Sequence, residues 1–174
     1  MAQDIKNILF TTDLAPRSKE VFEKAVALAL QTGASITILH VIEGGSGPTQ
    51  SILAELVGKD AYENIRQENE SFARNVLIGK QKEVPIIREA LKRLSQSAFS
   101  KFEDKDDPVI IEGIEVRVGN VVEEIIQIAE DNRCDLVVMG HHQKSMLLKA
   151  MMGSVVNSVL RTIKKPVYLV PVDE

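Results

Sequence analysis

Short runs of unbroken apolar residues recur along this chain, separated by segments whose apolar residues return every three or four positions. This alternation limits the possible folds more than any other feature. Asn7-Ile-Leu-Phe-Thr-Thr12 reads as a buried strand ending at Asp13, Ser35–Val41 as a second, and Gly113–Val118 as a third. Asp135–Met139 and Val167–Val170 read as a fourth and a fifth. Between them, Val21, Phe22, Ala25, Leu28 and Ala29 share one helical face, as do Val122, Ile125, Ile126 and Ala129, and Val155, Val156, Val159, Leu160 and Ile163. Ser18 and Ser154 stand where N-caps belong, Gly33 where a C-cap belongs, and Asn120 with Glu123 resembles a capping box. Lys164 and Lys165 sit at the C-terminus of the last helix, and Pro166 stops it. Strands alternating with helices build a mostly parallel sheet. Strands without a polar face need cover on both sides.

The stretch from Glu43 to Glu112 is far longer than a usual strand-to-helix connection. Gly44-Gly-Ser-Gly-Pro48 starts it, and Glu103-Asp-Lys-Asp-Asp-Pro108 is a polar turn near its end. Between them the apolar spacing suggests three helical pieces. Pro85 would open the third, with Ile87, Ala90, Leu91, Leu94, Ala98 and Phe102 on its apolar face. The chain therefore reads as one domain, 1–174, with a helical insertion over about 44–112. The joints Gly79–Lys82 and Gly44–Gly47 are the expected first sites of proteolysis.

Composition removes several classes. Of 174 residues, 44% are hydrophobic and 26% charged, which fits a globular chain and not a disordered one. A formal net charge of −4 argues against general binding to nucleic-acid phosphates. Cys134 is the single cysteine, so neither a disulfide framework nor a cysteine-rich zinc site is available. No apolar run has the length of a membrane span, and the start lacks the pattern of a secretory signal, so a cytoplasmic location is expected.

In open parallel sheets, ligands bind beyond the carboxyl ends of the strands, where the strand order reverses. Asp13, Val41 and Gly140 stand at those ends. Asp13 can take a ribose hydroxyl and the main chain of Val41 can face a base. Gly153-Ser154 opens a helix whose N-terminal N–H groups suit a phosphate. His141 and His142 are adjacent and make a poor metal pair, and His40 lies inside a strand, so no metal site is expected. No Gly-x-Ser-x-Gly elbow occurs, and Ser, His and Asp are too scattered for a catalytic triad.

Taken together, these pieces resemble the universal stress protein family. The resemblance is carried by Ile8–Asp13, Leu39-His-Val41, Val118-Gly119, Cys134–His142, Gly153-Ser-Val155 and Lys165–Val170, and covers about 1–43 and 112–174. It implies a Rossmann-like five-stranded parallel sheet in the order 3-2-1-4-5, a homodimer and a stress-response role; no obvious general base or nucleophile stands next to the phosphates in the sequence, so enzymatic turnover is not expected. Many members bind ATP through Gly-x2-Gly-x9-Gly-Ser/Thr. Here the window runs Gly140-His-His-Gln143, then residues 144–152, then Gly153-Ser154. The resemblance thus implies nucleotide contacts from Asp13, Val41, Gly140, Gln143, Gly153, Ser154 and Val155, with a divalent metal arriving only with the nucleotide. Gln143 replaces the second glycine, where a positive φ and a close phosphate approach are expected. Weak ATP binding follows, with a dissociation constant on the order of tens of micromolar or poorer. His-His-Gln after Gly140 also resembles the subgroup that binds no nucleotide, although Gly153-Ser154 does not. The alternative is a dimeric stress protein acting by protein interaction with a degenerate pocket. An adenylating enzyme of the same superfamily ranks last, because Thr12-Asp-Leu-Ala-Pro16 replaces the expected glycine- and serine-rich loop. The dimer is expected through Val167–Val172, where Pro171 belongs on a sheet edge.

Overall fold

A computed structural model describes residues 4–43, 60, 70–102, 109–143 and 153–173. Five strands form one parallel sheet: β1 (Asn7–Thr11), β2 (Ser35–Glu43), β3 (Ile111–Gly119), β4 (Leu136–Gln143) and β5 (Val167–Asp173). Their order is β3-β2-β1-β4-β5. Among the described residues the connecting helices are α1 (Ser18–Thr32), α2 (Glu70–Phe99), α3 (Val121–Asp131) and α4 (Ser154–Thr162), with a short 3-10 turn at Ser100–Phe102.

The apolar strands are covered on both faces. Ile8, Phe10, Ile36, Ile38 and Val138 meet α1 and α2, while Leu9, Leu39, Val137 and Met139 meet α3 and α4. This is the alternation of a pleated strand with both sides buried. Each fully buried large side chain contributes about 1.5–3 kcal/mol. An aromatic chain crosses the first layer. Phe10 and Phe22 have ring centroids 5.0 Å apart, and Phe22 and Phe99 6.0 Å apart. It ties β1 through α1 to α2. Leu91 and Ala98 bury completely on the same side, and Lys101 Nζ reaches Glu23 Oε1 at 2.8 Å. The C-terminal half of α2 thus packs on the sheet through the face expected from the sequence, except that Ala90 is exposed.

Local chemistry fixes the element ends. Gly33 caps α1 in the left-handed conformation at φ 71°, where a side chain would be strained. The Asn120 side chain accepts from the Glu123 N–H at 3.1 Å, which is half of the expected capping box. Asp135 lies just before β4, and its carboxylate accepts from the Lys6 and Asn7 N–H groups at 2.9 and 3.0 Å. That latch holds the start of β1 against β4.

Several expectations are corrected. Pro85 does not open a helix but lies inside α2, and the Gly79–Lys82 joint is helical, not a break. Burial of α2 further along its length outweighs the hydrogen bond that proline forfeits. Ser18 and Ser154 are first helical residues; Arg17 and Gly153 hold the cap positions, and neither serine makes a capping bond. The last helix ends at Thr162 with Ile163 as its cap, so Lys164 and Lys165 lie beyond it. The fourth strand continues past Met139 to Gln143 because β5 pairs with it as far as Asp173. Gln143 is therefore extended backbone and not a left-handed turn. The side chains of His142 and Gln143, and all of Gly44–Gly47, Lys144 and Lys149, lie outside the described residues.

Candidate functional site

The site arises because the central strand is short. The ladder between β1 and β2 ends at Thr11–Leu39, and that between β1 and β4 at Thr11–Met139. Yet β2 continues to Glu43 and β4 to Gln143. A notch opens between them where the strand order reverses, the place at which doubly wound sheets take ligands. It is a cleft of about 480 Å³, within the range of small-molecule sites.

One wall is the turn from β1 into α1. The Thr12 N–H donates to the Leu39 carbonyl at 3.0 Å, the last rung between β1 and β2. The Thr12 carbonyl accepts from His40 Nδ1 at 2.8 Å, which fixes the proton on that nitrogen. The Thr12 hydroxyl accepts from the Leu14 N–H at 3.0 Å and donates to Ser18 Oγ at 2.8 Å. Asp13 Oδ1 accepts from the Ala15 N–H at 2.9 Å, a local turn that aspartate favours. Leu14 is left-handed at φ 62°, a strained conformation for a leucine. These bonds over-determine the turn and stabilise that strain.

The other wall is the start of α4. Gly153, Ser154 and Val155 line the cleft, and Gly153 is the N-cap at φ −53° and ψ 150°. A Cβ on Gly153 would meet none of the described residues within 4 Å. Among the described residues its backbone faces the cleft without a packing neighbour in the way. The first N–H groups of α4 have no carbonyl within the helix to bond, and they form the positive end of its dipole. The floor is apolar, with Leu39, Ile125, Met139 and Val156 beneath the opening.

The sequence-predicted residues Asp13, Val41, Gly140, Gly153, Ser154 and Val155 all line this one cleft. Main-chain groups two residues apart on a strand point the same way. Val41 therefore turns toward the β1 side the edge that Leu39 uses for Thr12, but β1 has already ended. Gly140 has a packing role. A Cβ there would stand 3.0 Å from Val21 Cγ2, so the glycine lets α1 lie close on β4.

Sequence reasoning missed several polar contributors, Thr11 and Glu43 among them. His40, read as a packed strand residue, is half-buried and lines the cleft. Thr12, Arg17 and Ser18 line it as well. The available signal was His40 beside Val41 at a strand's carboxyl end, and hydroxyl residues flanking the turn after β1. Among the described residues, no group of three His, Cys, Asp or Glu side chains is placed to hold a metal ion. Nor is any described helix long and apolar enough to cross a membrane. Cys134 is 1% exposed, and burial, with Asp135 adding to it and Lys165 opposing, pushes its thiol up to about 11. It remains an unreactive core residue at neutral pH.

A doubly wound parallel sheet with a cleft at its switch point defines the class. The universal stress protein family model matches residues 4–171, and the chain belongs to that family. Universal stress protein MJ0577 of Methanocaldococcus jannaschii is 28% identical over 165 residues, spanning 95% of this chain and 94% of the relative. Universal stress protein A homolog 1 of Coxiella burnetii is 30% identical over 158 residues, spanning 89% and 88%. Among solved structures, MJ0577 has a TM-score of 0.60 at 22% identity, covering 99% of each chain. A universal stress protein in complex with cAMP has a TM-score of 0.59 at 18% identity, covering 97% of this chain and 98% of that one. These similarities show that the fold is shared.

Proposed function

We propose that this universal stress protein binds an adenine nucleotide in the switch-point cleft and acts in the stress response as a binding protein without turnover. The observation that carries this reading is the pairing of Asp13 on one wall with the start of α4 on the other, across an apolar floor. The cleft suits such a ligand part by part. Asp13 would accept from ribose hydroxyls, and the Val41 main chain would face the base. The N–H groups at Gly153-Ser154-Val155, with the Ser154 hydroxyl, would receive phosphate oxygens. That a structural neighbour was solved with cAMP makes an adenine nucleotide a reasonable occupant. A divalent cation would enter only on the phosphates of the ligand. Binding and not hydrolysis is the activity proposed, with the Ser154 hydroxyl as a phosphate ligand.

The test is calorimetric titration of the purified protein with ATP, AMP and cAMP, after extraction to detect co-purified nucleotide. Asp13→Ala and Ser154→Ala should each weaken binding several-fold. If wild-type protein binds none of the three at millimolar concentration, the nucleotide reading fails.

A second reading is action through protein contacts, favoured by the exposed edge at β5. Tyr168 is 43% exposed on that strand, and Pro171 is also exposed. An apolar edge invites pairing with another chain, and we propose an antiparallel two-fold dimer along Val167–Val172. Sedimentation at micromolar concentration should give the dimer mass, and Tyr168→Asp should shift it toward the monomer. Val170 faces the core and is not a fair target for the same test. Cytoplasmic residence belongs to the same proposal and is checked by cell fractionation.

A further inference from the structure

Ser18 does not do what its position at the head of α1 suggests. Its side chain makes no capping bond to the helix, yet the residue is only 7% exposed. Its hydroxyl instead accepts from the Thr12 hydroxyl at 2.8 Å and donates toward Asp13 Oδ1 at 3.5 Å. The donors run in one direction, from Thr12 through Ser18 to the carboxylate. Thr12 cannot readily turn away, because its N–H, carbonyl and hydroxyl are also held by Leu39, His40 and Leu14. A buried hydroxyl aimed at a carboxylate favours one orientation of it, here through a long contact that guides direction and adds little strength.

We propose that Ser18 is a positioning residue for the nucleotide ribose: through its hydroxyl it sets the Asp13 carboxylate in the orientation that receives the sugar's cis-diol. This rests on the nucleotide reading above and adds to it the part of the ligand that the β1–α1 turn recognises. Asp13 Oδ1 also accepts from the Ala15 N–H at 2.9 Å, so two donors converge on that oxygen. The carboxylate is useful to a diol only if it is held in one rotamer, and the Ala15 N–H and the Thr12–Ser18 pair supply that constraint together. A ribose binding there gains two charge-assisted contacts, whereas a sugar without hydroxyls gains neither.

The experiment measures dissociation constants of ATP and of 2′,3′-dideoxy-ATP for wild type, Ser18→Ala and Ser18→Thr, with a thermal melt of each. Wild type should prefer ATP. Ser18→Ala should lose about three- to ten-fold in ATP affinity, the loss of one modest hydrogen bond, with little change for the dideoxy analogue. Ser18→Thr, which keeps the hydroxyl, should restore the preference. If Ser18→Ala weakens both ligands equally, or neither, the serine has only a structural role and the inference is overturned. Should wild type bind both ligands equally, Asp13 does not engage the diol; the inference then fails while the nucleotide reading stands. If wild type binds neither, both fail. Should Ser18→Ala not fold, Ser18→Cys replaces the hydroxyl by a much weaker donor, and an unchanged ATP preference in that variant overturns the inference.

Discussion

Gly140→Ala offers the sharpest test of how the cleft is built. The added methyl would stand 3.0 Å from Val21 Cγ2 and 3.9 Å from Val21 Cβ and Cγ1. Carbon atoms in favourable contact lie about 3.5–4.0 Å apart, so one partner must retreat by about half an ångström. Val21 cannot easily do so. It is buried at 4% exposure in the core cluster, and a valine in a helix has essentially one χ1 rotamer. The strain must pass into α1 or β4, and overpacking of this kind costs about 1–3 kcal/mol. For a chain of this size each kcal/mol lowers Tm by about 2–4 °C. Val21→Ala alone leaves a void and should also destabilise, by about 1–3 kcal/mol. Together the two changes should cost less than their sum, by at least about 1 kcal/mol, because the new methyl fills the vacated space. Urea unfolding of the four proteins gives the cycle. Strict additivity, or a Gly140→Ala protein as stable as wild type, would refute the packing argument. The glycine would then serve only an approaching phosphate, and ATP affinity would fall without any loss of stability.

Three other outcomes follow from the structure. Gly153→Ala places its methyl clear of every described residue with an ordinary backbone conformation, so stability should fall by no more than about 1 kcal/mol, the cost of a poorer cap. ATP affinity should nevertheless drop in calorimetry, because that space is where the phosphates are proposed to lie. Pro85→Ala restores a donor at an exposed position inside α2 and should raise Tm, the gain bounded by the roughly 3 kcal/mol that an interior proline costs; a lower Tm would mean the proline fits its site better than helix chemistry allows. The Cys134 thiol is held at about 11 in the fold against an ordinary 9.0. The unfolded chain therefore loses that proton first. The stabilisation is complete below pH 9 and is lost as pH rises toward 11, about 3 kcal/mol at most. Cys134→Ala should show a shallower decline over that window in denaturant titrations, and parallel curves for the two proteins would refute the assignment.

The five strands, the Gly33 end of α1 and the Asn120 start of α3 were legible in the sequence because they follow from nearest neighbours, whereas the other helix ends were not. A run such as Ile8-Leu-Phe has no polar face to present to water. Gly33 can hold a left-handed cap and Asn120 an accepting one whatever surrounds them. The cleft-lining residues Asp13, Val41, Gly140, Gly153 and Ser154 were legible too, since strand ends and helix starts mark where a parallel sheet receives ligands. Other features depended on what lies opposite. The continuation of β4 to Gln143 is decided by the presence of β5 alongside. The uninterrupted course of α2 through Pro85 is decided by its burial on α1 and β3, which local propensity does not register. The role of Gly140 depends on Val21, far from it along the chain. Ser18 reads as a helix cap until the fold brings Thr12 and Asp13 around its hydroxyl. Local chemistry sets which conformation a segment prefers, but a side chain's partners are chosen by the packing of elements distant in sequence, and those partners give these residues their roles.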